Sequence, residues 1–311
     1  MSKSVAGSVG SETLLQVNDQ ADLLLRRGMV ANPSILIQRL EVVSYYRLRA
    51  YWHPFLQQNN ASDPQRNRLF KPGTSFAEVW QRYVFDRHLR LMAIDAIERV
   101  EVALRSSLAR THGERYGELG YTRPSRSLPN MLPKYRRKFL KDIRREFQRS
   151  RNPYVQLAAK ENVNPPVWMA VELMSLGTLL SFYKGLTTKM QRNVAKKFGI
   201  HHVVLESWLT SLLTVRNICA HHGRLWNSVM GTRPMIPKKA AEWHHPVETD
   251  TDRVFSILTI LKYLMNRVAP QSHWPSRFSG LLAQYPSIPL ASMGFPTDWE
   301  RCPIWAYKQS T

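Results

Sequence analysis

The chain has 311 residues, 43% of them apolar, enough to bury a core and too many for a disordered protein. Its formal net charge is +21 and its isoelectric point is near 10.3, an excess that draws polyanions over long range, so nucleic acid is the leading partner; an anionic membrane surface would also attract this charge, but no membrane partner is expected. No window reaches the eighteen or so apolar residues of a membrane-spanning helix, the first residues lack the apolar stretch and cleavage site of a secretory signal, and Cys219 and Cys302 are too few for a disulfide scaffold; a cytoplasmic protein is expected.

Residues 1–12 are small and polar and read as a flexible lead, with one all-α domain expected over 13–311. From Thr13 to Leu40, apolar residues recur at helical spacing, and Gly28 and the Asn32-Pro33 pair punctuate them, which predicts an N-terminal helical hairpin. The next stretch, 44–55, is packed with aromatics (Tyr45, Tyr46, Tyr51, Trp52, Phe55) and reads as a packing knot between helices. Residues 57–75 are polar, carry Pro64, Pro72 and Gly73, and read as a loop with room for a short hairpin. A long helix follows from about Ser75 to Ala109. Phe85, Leu89, Met92, Ala96, Val100, Ala103 and Ser107 step by three or four along one buried stripe, and Gly113 and Gly117 stop it.

A proline-containing loop then leads into a second amphipathic helix, where Tyr135, Phe139, Ile143 and Phe147 form an i, i+4 apolar line while the other faces are basic. Over 123–151, eleven Arg and Lys stand against Asp142 and Glu146, so this segment reads as a basic helical insertion. Arg136, Arg137, Lys138, Lys141, Arg144 and Arg145 are its expected RNA-binding residues. Further helices are expected at 167–186, 190–198, 203–222 and 250–267, the third of them ended by Gly223. The last forty residues, rich in proline and aromatics, are expected to wrap the surface. No strand-length alternation, internal repeat or glycine-rich phosphate loop competes, and the fold class is all-α.

The string that carries chemistry is RNICAHHGRLWN, residues 216–227. An Arg followed by a His after four to six residues also occurs at Arg47 with His53, Arg82 with His88, Arg105 with His112, and Arg267 with His273, so spacing alone selects nothing. Context selects Arg216: it lies in the last turns of an apolar helix, which leaves His221 and His222 at an exposed end. Asn217 and His221 are four apart and share a face, so the amide is expected to hold the imidazole, whereas His222 faces Ile218. Histidine moves protons near neutral pH, worth about a hundredfold to ten-thousandfold in rate, and arginine, which stays charged, forks onto phosphate oxygens. These are the needs of RNA cleavage by the internal 2′-hydroxyl: a base, an acid and a positive charge at phosphorus, with no metal or other cofactor. On residue types alone, an equally good reading pairs Arg216 with a carboxylate and uses His221 and His222 as helix C-terminal caps.

Glu98, Glu101 and Arg105 fall at i, i+3 and i+7 on the long helix, where a carboxylate can orient the catalytic Arg or merely form a solvated ion-pair face. Glu172 interrupts an apolar helix and needs either solvent or a partner. The doublets His201-His202, His221-His222 and His244-His245 lack the companion spacings of a zinc site.

Taken with SYYRLRAYWHPF (44–55), FDRHLRLMAIDAIERVEVALRSSLA (85–109), PPVWMAVELMSLGTLLSFY (165–183) and GFPTDWERCPIW (294–305), the 216–227 string resembles, in order, the bacterial abortive-infection family typified by AbiD and AbiF. The resemblance implies a HEPN-type helical bundle, a family of helical ribonucleases, and a role in phage defence or as a toxin. It also implies that Arg216, Asn217 and His221 are the functional motif, flanked by His222, Arg224 and Asn227. An endoribonuclease is therefore expected, with RNA as substrate and a structured noncoding RNA as a further partner; the alternative is an RNA-binding protein that holds such an RNA without cutting it. HEPN nucleases join two Arg-His motifs, and this chain has one in the right context, so a homodimer is expected.

Overall fold

The computed structural model describes residues 15–57, 68–161, 163–249 and 252–306. The polar lead expected over 1–12, and residues 58–67 of the expected loop, lie outside the described residues. Among these, every regular element is a helix, and β pairing is limited to isolated bridges, so the class is all-α. The chain divides into two compact units: residues 1–88 with 281–288, and residues 89–280 with 289–311.

In the first unit, α1 (Val17–Arg26) and α2 (Pro33–Val42) form the expected hairpin. Asn32 caps α2 by accepting from the Ile35 N–H at 3.2 Å, and Pro33 occupies the first helical position, where its missing N–H costs nothing. Helix α3 (Tyr45–Trp52) carries the aromatic knot: Tyr45 meets Trp52 edge-on at 4.8 Å, and the Tyr51 hydroxyl donates to the buried Asp86 carboxylate at 2.6 Å.

Helix α4 (Phe76–Tyr116) belongs to the first unit up to His88 and to the second from Leu89. It runs further than its apolar stripe predicts, and Gly117, at φ 75°, ends it in the left-handed region that glycine tolerates. The second unit continues through α5 (Pro124–Ser127), α6 (Pro133–Arg149), α7 (Pro153–Lys160), α8 (Val167–Glu172), α9 (Leu176–Gly185), α10 (Thr188–Lys197), α11 (His202–Ala220), α12 (Val254–Val268) and the start of α13 (Trp274–Gln284). Residues 254–265 of α12 are all buried, including Ser256 and Thr259, whose hydroxyls return to carbonyls one turn back.

Two expectations are corrected. The single helix over 167–186 is two, α8 and α9. The break falls at residues 173–175, where Ser175 accepts from the Thr178 N–H at 3.3 Å and starts α9 afresh. The last forty residues do not merely wrap the surface: Trp274, Phe278, Met293 and Cys302 are fully buried, and Trp274 donates to the Met92 carbonyl of α4 at 2.8 Å. Pro275 sits at the second position of α13, inside the first turn, which tolerates proline, so the sequence disguises a core helix as a loop.

Candidate functional site

Helix α11 delivers the 216–227 segment. Its buried stripe (Leu205, Trp208, Leu212, Val215, Cys219) fixes its rotation, leaving Arg216 half-buried and Asn217, His221 and His222 exposed. The helix closes in a Schellman turn: the His222 N–H donates to the Cys219 carbonyl at 3.0 Å and the Gly223 N–H to the Ile218 carbonyl at 2.7 Å. The left-handed residue of that turn is His222, at φ 57°, and not Gly223 as its place in the sequence suggests. Gly223 serves another purpose, since a Cβ there would stand 3.2 Å from both the Ile218 carbonyl and its Cγ2. Asn227 is also left-handed, at φ 52°, so among the described residues both non-glycine positions of positive φ fall inside this segment. Such strain persists where the surroundings enforce it, and here the fully buried Leu225 and Trp226 anchor the chain between them. Arg224 and Asn227 are half-buried beside these anchors.

The Asn217 amide does not hold His221. Its Oδ1 accepts from Arg216 Nη1 at 3.3 Å, and the link from Asn217 to His221 is the backbone bond from the His221 N–H to the Asn217 carbonyl, 3.0 Å.

Arg216 opens into a cavity of about 690 Å³ between α4, α6, α9 and α11. Glu101 and Arg105 of α4 line it, as do Lys138, Asp142, Arg145 and Glu146 of α6. Arg105 is a clamp: it donates to Glu101 at 2.6 Å and to the carbonyls of Val171 and Met174 at 3.1 and 3.0 Å, with Glu172 3.9 Å away. The clamp takes carbonyls at the end of α8 and places the first turn of α9, with Ser175 and Thr178, in the cavity wall, where the helix N-terminus adds partial positive charge.

The acids of this cavity are already paired, Glu101 with Arg105, Asp142 with Lys138 and Arg145, and Glu146 with Arg145. Arg216 makes no ion pair with a described residue. Its guanidinium is thus available to an anion entering the cavity. His221 and Asn217 do not line this cavity, and neither does the exposed Glu98. Sequence reasoning missed Ser175, Thr178 and Ser181; the spacing of Ser175 and Thr178 before an apolar run is a helix-start signal that was there to be read.

The six basic residues of α6 separate into three environments. Lys138 and Arg145 face the Arg216 cavity. Arg136 turns back to donate to the Met131 carbonyl at 3.0 Å, stitching the helix start. Arg137, Lys141 and Arg144 line a second groove, of about 780 Å³, with Tyr121, Asn164 and Pro165.

His112, near the end of α4, is fully buried against Phe182 and Tyr116, with no hydrogen-bond partner for either ring nitrogen among the described residues. Burial pushes its pKa down from 6.5 to about 4. Among the described residues, no three His, Cys, Asp or Glu side chains are grouped as a metal ion would require, and no helix is long and apolar enough to cross a membrane.

An all-α protein with an uncompensated arginine in a charged cavity, beside a strained helix end bearing histidines, is the class this site defines. The family model described as Abi-like protein matches residues 38–227, more than half of the chain, and the protein belongs to that abortive-infection family. The match ends on Asn227, the last residue of the 216–227 segment, and the 294–305 string lies beyond it. Comparison with curated proteins and with solved structures gave no match.

Proposed function

We propose that the protein is a metal-independent endoribonuclease of an abortive-infection system, of the HEPN type and of the AbiD- and AbiF-like kind, acting in phage defence or as a toxin. The observation that carries this reading is Arg216, half-buried in a cavity whose acids are each held by another cation, which favours a phosphate as its partner and not a carboxylate. Arg216 stabilises the charge that builds on phosphorus, and His221, at the exposed helix end, moves the proton of the 2′-hydroxyl or of the leaving oxygen. Asn217 orients the guanidinium, through the 3.3 Å contact, and not the imidazole. His222, Arg224 and Asn227 act through the turn they build.

The test is cleavage of a single-stranded RNA by the purified protein, set beside Arg216→Ala and His221→Ala, together with toxicity of the three genes in cells. Loss of cutting and toxicity in both variants, with RNA binding retained in His221→Ala, is the expected result. A wild type that binds but never cuts supports the second reading, a protein that holds a structured noncoding RNA. That reading draws on one observation, that His221 lies outside the cavity Arg216 lines.

A further inference from the structure

We infer that the second groove, lined by Arg137, Lys141 and Arg144, is where the RNA backbone is gripped, apart from the cavity where Arg216 acts. This rests on the reading of the protein as one that acts on RNA. None of the described residues lining the groove is Asp or Glu, whereas the Arg216 cavity carries Glu101, Asp142 and Glu146. Arg137, Lys141 and Arg144 are exposed and make no ion pair with a described residue, while Lys138 and Arg145, on the neighbouring face of the same helix, are tied to Asp142 and Glu146. The basic helix is therefore sorted by face: one side neutralised, the other left charged.

The three cations sit four and then three residues apart on α6, so they spread over roughly 10 Å of helix axis at about 1.5 Å per residue. That spacing suits several successive phosphates of a strand better than one isolated phosphate group. The rest of the wall mixes polar and apolar groups: Asn164 offers an amide to sugar or base, and the Tyr121 hydroxyl, donated to the Pro165 carbonyl at 2.6 Å, ties the 163–165 segment to the groove. The charges lie inside a concavity of about 780 Å³, which a strand can enter and a flat bilayer surface cannot.

The experiment measures binding of a fluorescent single-stranded RNA by anisotropy across a salt series, on the full chain, for the wild type, for Arg137→Gln/Lys141→Gln/Arg144→Gln, and for the charge-neutral control Lys184→Gln/Glu206→Gln, an exposed ion pair that lines neither concavity. Each phosphate contact adds about 0.7 to the slope of log affinity against log salt for a single strand, so the triple variant should lose about 2 from that slope while the control changes by less than about 0.5. Restoration of the slope by Arg137→Lys/Lys141→Arg/Arg144→Lys shows that charge is responsible, and an unrestored loss overturns the assignment. An unchanged slope in the triple variant also overturns it. So does binding to vesicles containing phosphatidylserine that depends on these three residues when RNA binding does not. Binding is read without cutting, so a protein that grips RNA here but never cleaves it leaves this inference standing and removes the proposed activity.

Discussion

Arg105 Nη2 stands 2.6 Å from Glu101 Oε1 and 3.0 Å from the Met174 carbonyl, so one guanidinium joins α4 to the turn that starts α9. Both charged side chains are about 15% exposed or less, which makes this pair worth more than a surface ion pair. Arg105→Ala should cost about 2 kcal/mol or more in urea unfolding, because Glu101 and two carbonyls lose their donor together. Arg105→Lys should recover only part of that, since an ammonium cannot reproduce the fork. Arg99→Ala, which removes the more exposed pair with Asp95, should cost less than about 0.5 kcal/mol. Equal costs for Arg99→Ala and Arg105→Ala would show that the clamp carries no special weight.

Arg216 has the opposite signature. With no ion pair to a described residue, its removal should leave stability nearly untouched, within about 0.5 kcal/mol, yet abolish cutting. A residue that held the fold through a carboxylate would show the reverse pattern. Unfolding midpoints and single-turnover cleavage measured on the same Arg216→Ala preparation separate the two.

The chemistry proposed for His221 and Arg216 supplies proton transfer and charge but no nucleophile, so the attacking group is the substrate's own 2′-hydroxyl. Products should carry 2′,3′-cyclic phosphate and 5′-hydroxyl ends, and they should form in the presence of EDTA. One 2′-deoxy nucleotide at the cut should block that site alone, because DNA lacks the hydroxyl. Mass spectrometry of the fragments decides the matter; linear 3′-phosphates from the outset, or cutting at the deoxy position, would sink the mechanism.

Periodicity made the helices legible because a buried stripe is a property of one element. Helix α4 and helix α6 could be read from residues such as Phe85, Leu89, Phe139 and Ile143, all buried as their spacing requires. The break between α8 and α9 could not be read that way, since it depends on Arg105, some seventy residues earlier, taking the Val171 and Met174 carbonyls. The same holds at the site. Arg216 was selected by its place on an apolar helix, but the pairing of Asp142 and Glu146 with Lys138 and Arg145, and hence the sorting of α6 into a neutralised and a charged face, needed the rotation of α6 against its neighbours. His222 in a left-handed conformation next to a glycine contradicts the sequence habit of giving that position to Gly223.

His112 gives the fold a pH dependence with a definite sign. Its pKa is near 6.5 in the unfolded chain and about 4 when buried, so between those values the unfolded state binds the extra proton. The stability that the neutral ring contributes is therefore complete above about pH 6.5 and is lost as pH falls toward 4. Between pH 7 and pH 5 the loss from this one group is about 2 kcal/mol. Urea unfolding of the wild type and of His112→Phe at both pH values isolates it: the variant should show the smaller fall. Parallel losses in the two proteins would mean that His112 is not the group responsible.

The working unit is expected to be a homodimer with a composite site. One His221 and one Arg216 leave a mechanistic shortage, because a single imidazole would have to act as base and as acid on opposite sides of the phosphorus. The structure sharpens the shortage, for His221 lies at the exposed end of α11 and does not line the cavity that Arg216 lines. A second copy meeting the first about a twofold axis would bring both Arg216 and both His221 side chains to one phosphate, one imidazole as base and the other as acid, and a twofold interface is the commonest way for one gene to do so. Mixing Arg216→Ala with His221→Ala chains tests this directly. Each parent dimer lacks one of the two groups altogether, whereas the mixed dimer retains one arginine and one histidine, so the mixture should cut faster than either parent alone and more slowly than the wild type, which has two imidazoles to share the base and acid roles. If each chain works independently, the mixture will show only the average of the two parents, and sedimentation at the concentration of the assay will find active monomer; either result excludes the composite site.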